Sequence, residues 1–301
     1  MKGFYPAVYL RGMAMGAADL VPGVSGGTIA FITGIYDELI ESLKSCNLES
    51  LVLLFKSGPV AFWQYINGSF LISLMLGIVT SVLSLARVIS FALDEYPVPL
   101  AALFFGLILA SALIVYRQIP GAGKQLLWLF FGLGFAILIG EIRPAEIAAT
   151  PLNLFLSGAL AICAMILPGI SGSFILLLLG MYQPVIDAVK SIDIVALLSF
   201  VAGCGVGLML FVRLLSWLMH HHRGPLLAAL SGILVGSLSI IWPWKLDGEG
   251  QLLSESLASG WQNVLPWDYA QKADPQLMLS LGLAACGVVL VLLIERFAKK
   301  A

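Results

Sequence analysis

Two short stretches carry the residue types that could do chemistry in this chain, and they are near copies of each other. The first is Val21-Pro22-Gly23-Val24-Ser25-Gly26-Gly27-Thr28, and the second is Leu167-Pro168-Gly169-Ile170-Ser171-Gly172-Ser173-Phe174. Proline removes a backbone donor and biases its predecessor away from helix, and the following glycine tolerates positive φ. Pro22-Gly23 and Pro168-Gly169 are therefore expected to break a helix. Ser25 and Ser171 are then natural N-caps for a new one. The amides of Gly26, Gly27 and Thr28, and of Gly172, Ser173 and Phe174, would point out of a helix N-terminus with its partial positive charge, a geometry that binds oxyanions such as phosphate.

The same residues suggest a second chemistry. Gly23-Val24-Ser25-Gly26 and Gly169-Ile170-Ser171-Gly172 both fit the GxSG of intramembrane serine hydrolases. A serine nucleophile needs a base within reach, however, and all three histidines form one tract, His220-His221-His222. A duplicated serine also suits a symmetric binding site better than an asymmetric catalytic one. There is no HExxH, and Cys46, Cys163, Cys204 and Cys286 lie far apart with no CxxC, so they read as buried, inert thiols. A transporter is expected rather than an enzyme, with no metal and no cofactor. A small-anion channel or exchanger is the rival, because such proteins also bring glycine- and serine-rich helix ends together.

The elements that must position these motifs follow from composition. Of 301 residues, 60% are hydrophobic and 11% charged, with a net charge of −1 and a mean hydropathy of +1.00. Soluble domains carry about a quarter charged residues, so a soluble enzyme, a disordered chain and a basic nucleic-acid binder are excluded. Six apolar runs, about 70 to 93, 98 to 116, 125 to 141, 195 to 219, 225 to 242 and 277 to 296, read as membrane-spanning helices. The N-terminal stretch has Arg11 inside its apolar run and lacks the layout of a signal peptide, so it is expected to be retained. The fold class is an all-α polytopic membrane protein.

Sliding Pro22 onto Pro168, an offset of 146, also aligns Ile29 with Ile175, Gly34 with Gly180, Tyr36 with Tyr182 and Lys44 with Lys190. Sliding Arg87 onto Arg213, an offset of 126, aligns Gly77 with Gly203, Pro99 with Pro225 and Gly106 with Gly232. Two repeats follow, 1–150 and 151–301. Each has a broken, re-entrant hairpin, 7–45 or 153–190, and then three spans. Three spans between the hairpins make them enter from opposite faces, which is an inverted repeat. Lysine and arginine fit N-in, C-in: Lys2, Arg11, Lys44, Lys56, Arg117, Lys124, Arg223, Arg296, Lys299 and Lys300 fall inside, against Arg143, Lys190, Lys245 and Lys272 outside. The acidic loop 243–276, with Asp247, Glu249, Glu255, Asp268 and Asp274, is then extracytoplasmic.

The second half-helices, 25 to 35 and 171 to 181, are expected to run about eleven residues, roughly 16 Å, placing each break near the bilayer midplane. Arg87 and Arg213, equivalent in the two copies and inside spans, are expected either to hold phosphate oxygens from two sides or to snorkel to headgroups. Asp19, whose counterpart is Met165, should pair with an arginine, cap freed amides or carry a proton. Glu38, Glu41 and Lys44 read as a solvated interfacial face and the histidine tract as a polar cytoplasmic turn. Trp242-Pro243-Trp244 is expected to mark a membrane boundary, with belt aromatics the default reading and a lid the alternative.

From Met15 to Thr28, with the second motif and the stretch from Gly232 through Gly236-Ser237 to Trp242-Pro243-Trp244, the chain resembles the PopT family of bacterial and archaeal polyprenyl-phosphate translocases. The resemblance implies a multi-pass protein of the bacterial inner (plasma) membrane. It implies a flippase that recycles undecaprenyl phosphate, the carrier of peptidoglycan and surface-polysaccharide synthesis, from the outer to the cytoplasmic leaflet. The site itself is read from the residues and not from the resemblance: the phosphate is expected at Ser25, Gly26, Gly27, Thr28, Ser171, Gly172 and Ser173 with Arg87 and Arg213, and protons or another ion are the candidate coupling partner with Asp19 as carrier.

Overall fold

Long apolar runs in lipid must satisfy their own backbone, and they do so here as helices. The computed structural model describes residues 4–21, 24–142, 147–247, 250–252 and 261–298. Pro22 and Gly23 lie outside the described residues, as do Lys2, Arg143, Glu249, Glu255, Lys299 and Lys300. The chain opens with α1 (Pro6–Asp19), α2 (Gly26–Ile32), α3 (Tyr36–Ser45) and α4 (Leu48–Tyr65), followed by α5 (Gly68–Glu95), α6 (Pro97–Arg117) and α7 (Leu126–Glu141). The second half runs α8 (Pro151–Ile166), α9 (Gly172–Leu178), α10 (Tyr182–Ser191), α11 (Ile194–His221) and α12 (Arg223–Ile240). An antiparallel ribbon of β1 (Lys245–Asp247) and β2 (Trp261–Asn263) then precedes α13 (Pro266–Tyr269) and α14 (Leu277–Ala298).

Among the described residues, six helices are long and apolar enough to cross a membrane: α5, α6, α7 with the turn before it, α11, α12 and α14. They match the six expected runs, and the chain is a helical, polytopic membrane protein. The small ribbon is the departure from an all-helical reading. It forms in the polar loop, where backbone groups have strand partners or water available.

α2 and α9 are each seven residues, shorter than the expected eleven. The cause is a glycine stop. Gly34 and Gly180 take positive φ, +73° and +65°. Gly34 N donates to Phe31 O and Ile35 N to Ala30 O, and Gly180 N to Leu177 O with Met181 N to Leu176 O. Each is a Schellman ending that ties off the last carbonyls. The chain bends by 104° between α9 and α10. α9 also doubles back along α8, so that a Cβ on Gly172 would stand 2.7 Å from Ala161 O. α4 has no counterpart in the second half. Its axis breaks at Gly58 (φ 82°) ahead of Pro59, and much of its apolar surface, Leu48, Phe55 and Val60 included, is exposed.

Small residues let the long helices approach backbone to backbone. α1 packs on α5, where a Cβ on Gly12 would collide with Leu74 O, and α8 packs on α11, where one on Gly158 would collide with Phe200 O. The third spans cross over: α7 packs on α12 and α14 on α6. At those crossings a Cβ on Gly232 would strike Leu129 O, and one on Gly106 would strike Ala284 O. Each half of the sequence thus lends its last long helix to the other. Replacing Gly232 by valine should lower the thermal midpoint in detergent by the equivalent of about 1–3 kcal/mol or more of overpacking. Gly134→Val, where a Cβ meets nothing within 4 Å, should leave it unchanged.

Candidate functional site

The two breaks, about 140 residues apart in sequence, meet. Ser25 Oγ donates to Met165 O at 3.0 Å and Leu167 O at 3.1 Å, the last carbonyls of α8 and its break. Thr28 Oγ1 accepts from Gly169 N at 3.0 Å, and the Tyr36 hydroxyl donates to Ile166 O at 3.3 Å. The N-terminus of α2 therefore faces the C-terminus of α8, so partial charges of opposite sign are opposed. Leu167 is extended (ψ 129°) and Gly169 takes φ 91°, so α8 stops where Pro168-Gly169 was expected to stop it. A side chain at residue 27 is excluded as well, because its Cβ would lie 2.5 Å from Ile166 O.

The first motif, read from sequence as a set of free donors, is closed in this conformation. Asp19 Oδ1 accepts from Gly26 N at 2.7 Å, Ser25 Oγ from Gly27 N at 3.1 Å, and Ser25 O from Thr28 N at 2.9 Å. Asp19 takes the amide-capping role among the three considered for it. Ser25 and Thr28 are fully buried.

The second motif differs. Met165 replaces the aspartate, and Ser171 stands at the N-cap position without capping, because its hydroxyl pairs with that of Ser173 at 2.7 Å. Gly172 and Ser173 are half-buried rather than sealed. Beside this break lies an apolar cavity of about 360 Å³ reached by Leu167, Ile170 and Ile175.

The structure does not bring Arg87 and Arg213 to the breaks. Both side chains are exposed, flanked on α5 by exposed Leu83, Val88 and Phe91 and on α11 by exposed Leu210, Leu214 and Trp217. Exposed side chains among exposed apolar neighbours are what the snorkelling alternative requires, an apolar stem along the helix with the guanidinium reaching headgroups.

Polar residues instead lock the first hairpin to the α11–α12 junction. Lys44 Nζ donates to Ser216 Oγ at 2.8 Å and to Glu41 Oε2 at 3.3 Å, and Ser216 Oγ donates to Glu41 Oε1. Arg223 pairs with Asp37 at 2.8 Å. Burial pushes the Glu41 carboxyl up, but the bonds from Ser216 and Lys44, with the charges of Lys44 and His220, outweigh it and hold it below the ordinary glutamate range. Two stretches read separately as solvated surface, α3 and the histidine tract, are thus parts of one anchor.

The loop after α12 closes over the second hairpin. Trp242 Nε1 donates to Val264 O at 2.8 Å and Trp244 Nε1 to Pro275 O at 2.9 Å, fixing both ends of the loop. The Phe174 and Trp261 ring centroids are 6.0 Å apart. Lys245 Nζ stands 5.1 Å over the Trp261 ring and donates to Ile240 O at the end of α12. Burial pushes its ammonium down to about 8. Sequence reading placed Lys245 only as a loop charge; its position directly after Trp242-Pro243-Trp244, in a loop with more acidic than basic residues, was the available signal.

Residues 15–257 match the sequence profile described as undecaprenyl phosphate translocase-like (VCA0040-like). That stretch contains both motifs and most of the spans. The chain belongs to this family. It is 46% identical to a polyprenyl-phosphate transporter of Vibrio cholerae serotype O1 over 301 residues, which covers 98% of each chain. It is 30% identical to a polyprenyl-phosphate transporter of Staphylococcus aureus over 253 residues, 78% of this chain and 85% of that one. No solved structure matches it. The geometry of the paired breaks in this translocase-like chain is therefore read from its own residues.

The bond between the breaks has a measurable weight. Thr28→Val removes the acceptor for a buried amide, so it should cost about 1–3 kcal/mol. It should also speed hydrogen exchange at Gly169 relative to wild type, while Thr28→Ser should retain the bond and the slow exchange.

Proposed function

We propose that the chain is a lipid transporter that returns undecaprenyl phosphate from the outer to the cytoplasmic leaflet of the bacterial plasma membrane. The observation that carries this reading is the meeting of two broken helices, hydrogen-bonded to each other through Ser25, Thr28 and Gly169, beside a cavity lined by apolar side chains. Non-helical backbone at membrane depth is tolerated only where protein packs it or a wet cavity meets it, and such breaks serve as binding sites in transporters built from inverted repeats. The recurrence of α2 and α3 as α9 and α10 at an offset of 146, and of α5 as α11 at 126, supports that inverted arrangement. The names of both relatives point to the same substrate class.

In this reading the headgroup arrives beneath the outer loop, where the ammonium of Lys245 stands over Trp261, whose ring in turn packs against Phe174 of α9. It is then held by the hydroxyls of Ser171 and Ser173 and the amide of Gly172. At the first break the carboxylate of Asp19 occupies the place an oxyanion would take on Gly26. Protonation of Asp19 would release that amide to the phosphate, which makes Asp19 the coupling residue. Arg87 and Arg213 steady the protein against headgroups at the membrane surface. The tail remains on the lipid side throughout.

Purified protein in liposomes, with undecaprenyl phosphate followed between leaflets, tests the reading. Wild type should move the lipid, whereas chloride flux without lipid movement would replace this reading by an anion channel. Asp19→Asn should still equilibrate the lipid but should lose accumulation driven by a proton gradient. The rate should fall as the outer pH rises through about 8, because Lys245 is charged below that value and neutral above it. Lys245→Arg should hold its rate in that range, since a guanidinium keeps its proton.

A further inference from the structure

We infer that the cavity beside the second break is a prenyl slot, which takes the isoprenoid units nearest the phosphate while the rest of the tail stays in lipid. This rests on the lipid-phosphate transport reading and adds to it a specific seat for the chain. The cavity lies between α7 and the α8–α9 hairpin. Its rim is formed by Phe135, Ile142 and Leu160, all exposed on the outer surface of their helices, so its mouth faces the lipid. Its floor is formed by buried Ala164 and Ile170. Ile170 is the residue before Ser171, so the blind end of the cavity stops next to buried Ser171 and half-buried Gly172 and Ser173.

A molecule that fills this space must be apolar along its length and polar at the end that reaches the break. At roughly 30 Å³ per non-hydrogen atom, the share of a water in the liquid, 360 Å³ holds about a dozen atoms, or two five-carbon units and part of a third. Every lining residue is apolar or a thiol, so a sugar or a second headgroup finds no partner there. A prenyl chain fits better than a saturated acyl chain, because its double bonds leave fewer rotatable bonds to freeze on binding. Its methyl branches and π-bonds also have the Phe135 ring and the Cys163 sulfur to pack against. Seating the first units there would fix the phosphate at the break rather than let it slide along the cleft.

The test titrates farnesyl phosphate, dodecyl phosphate and inorganic phosphate against bound undecaprenyl phosphate on the full chain in nanodiscs. Farnesyl phosphate should displace the lipid at least about tenfold better than dodecyl phosphate, and inorganic phosphate should be weakest. Ala164→Phe fills the floor and Leu160→Trp blocks the mouth. Each should weaken farnesyl phosphate by about tenfold or more, while Leu83→Trp on the lipid-facing side of α5 should change it by less than about twofold. Leu160 is lipid-exposed, so its variant keeps the test decisive if the floor variant does not fold. Equal displacement by dodecyl phosphate, or normal farnesyl phosphate binding by folded slot variants, would overturn the slot. A wild type that moves undecaprenyl phosphate in liposomes while those variants bind normally would leave the transport reading standing without it. A wild type that neither binds nor moves the lipid would remove both.

Discussion

Oil offers a peptide group no hydrogen bond, and the rest of this structure is arranged around that constraint. Among the described residues fourteen helices absorb most of the backbone, and where two of them stop short, side chains of the first break serve backbone groups of the second. The hydroxyl of Ser25 serves carbonyls of α8, and the oxygen of Thr28 serves the amide of Gly169. The closed state is stable because these groups have no better partner within the protein. The same property makes the junction responsive. Drawing the breaks apart leaves several buried polar groups without partners, a cost of about 1–3 kcal/mol for each. Only water or a ligand rich in oxygen atoms can offset it, so opening without such a replacement is disfavoured.

The surrounding helices limit which parts can move. α7 lies on α12 and α14 on α6, with backbone approaching backbone at Gly232 and Gly106, so neither sequence half can swing as a rigid body without separating those seams. The pairs α1–α5 and α8–α11 carry the hairpins and stand outside that exchange. Rocking of whole repeats would therefore separate more closely packed backbone than a shift of the hairpins against an interlocked centre. The Asp37–Arg223 pair holds the far end of the first hairpin to that centre through α12, and Glu41 and Lys44 tie it through Ser216 to α11. Together they set a fixed end about which such a shift can turn.

Much of this was legible in the sequence because hydropathy and proline-glycine pairs report directly on backbone physics. The six long helices and the stop at Pro168-Gly169 fall where those signals put them. The half-helix lengths were missed although their cause was in view: Gly34 and Gly180 were noticed as matching residues, yet a glycine in register is also a C-terminal stop. The orientation of Arg87 and Arg213 was not legible, since an arginine inside an apolar run has the same signature whether it faces a cleft or a headgroup layer. Nor could spacing show that Asp19 reaches back to Gly26, because that bond exists only once the chain has turned through the break. The anchor at Glu41 joins residues more than 170 positions apart, and no local pattern encodes it.

The least symmetric feature of the site is a single exchange, Asp19 in one copy for Met165 in the other. Two matched helix ends would give two equal oxyanion sites facing each other, and a phosphate between them would have no reason to leave in one direction. A fixed carboxylate on one side changes that balance. It supplies the first end with an anion of its own, satisfies the Gly26 amide and disfavours a second negative charge nearby. The second end, with a thioether in the same place and the Ser171 and Ser173 hydroxyls paired with each other, is the end that binds phosphate in the proposed mechanism. The scaffold is thus duplicated while the chemistry at its centre is not. In the proposed mechanism that combination has a use: two similar breaks are brought together, and the one unmatched charge would distinguish the side that receives an anion from the side that must first give up its own.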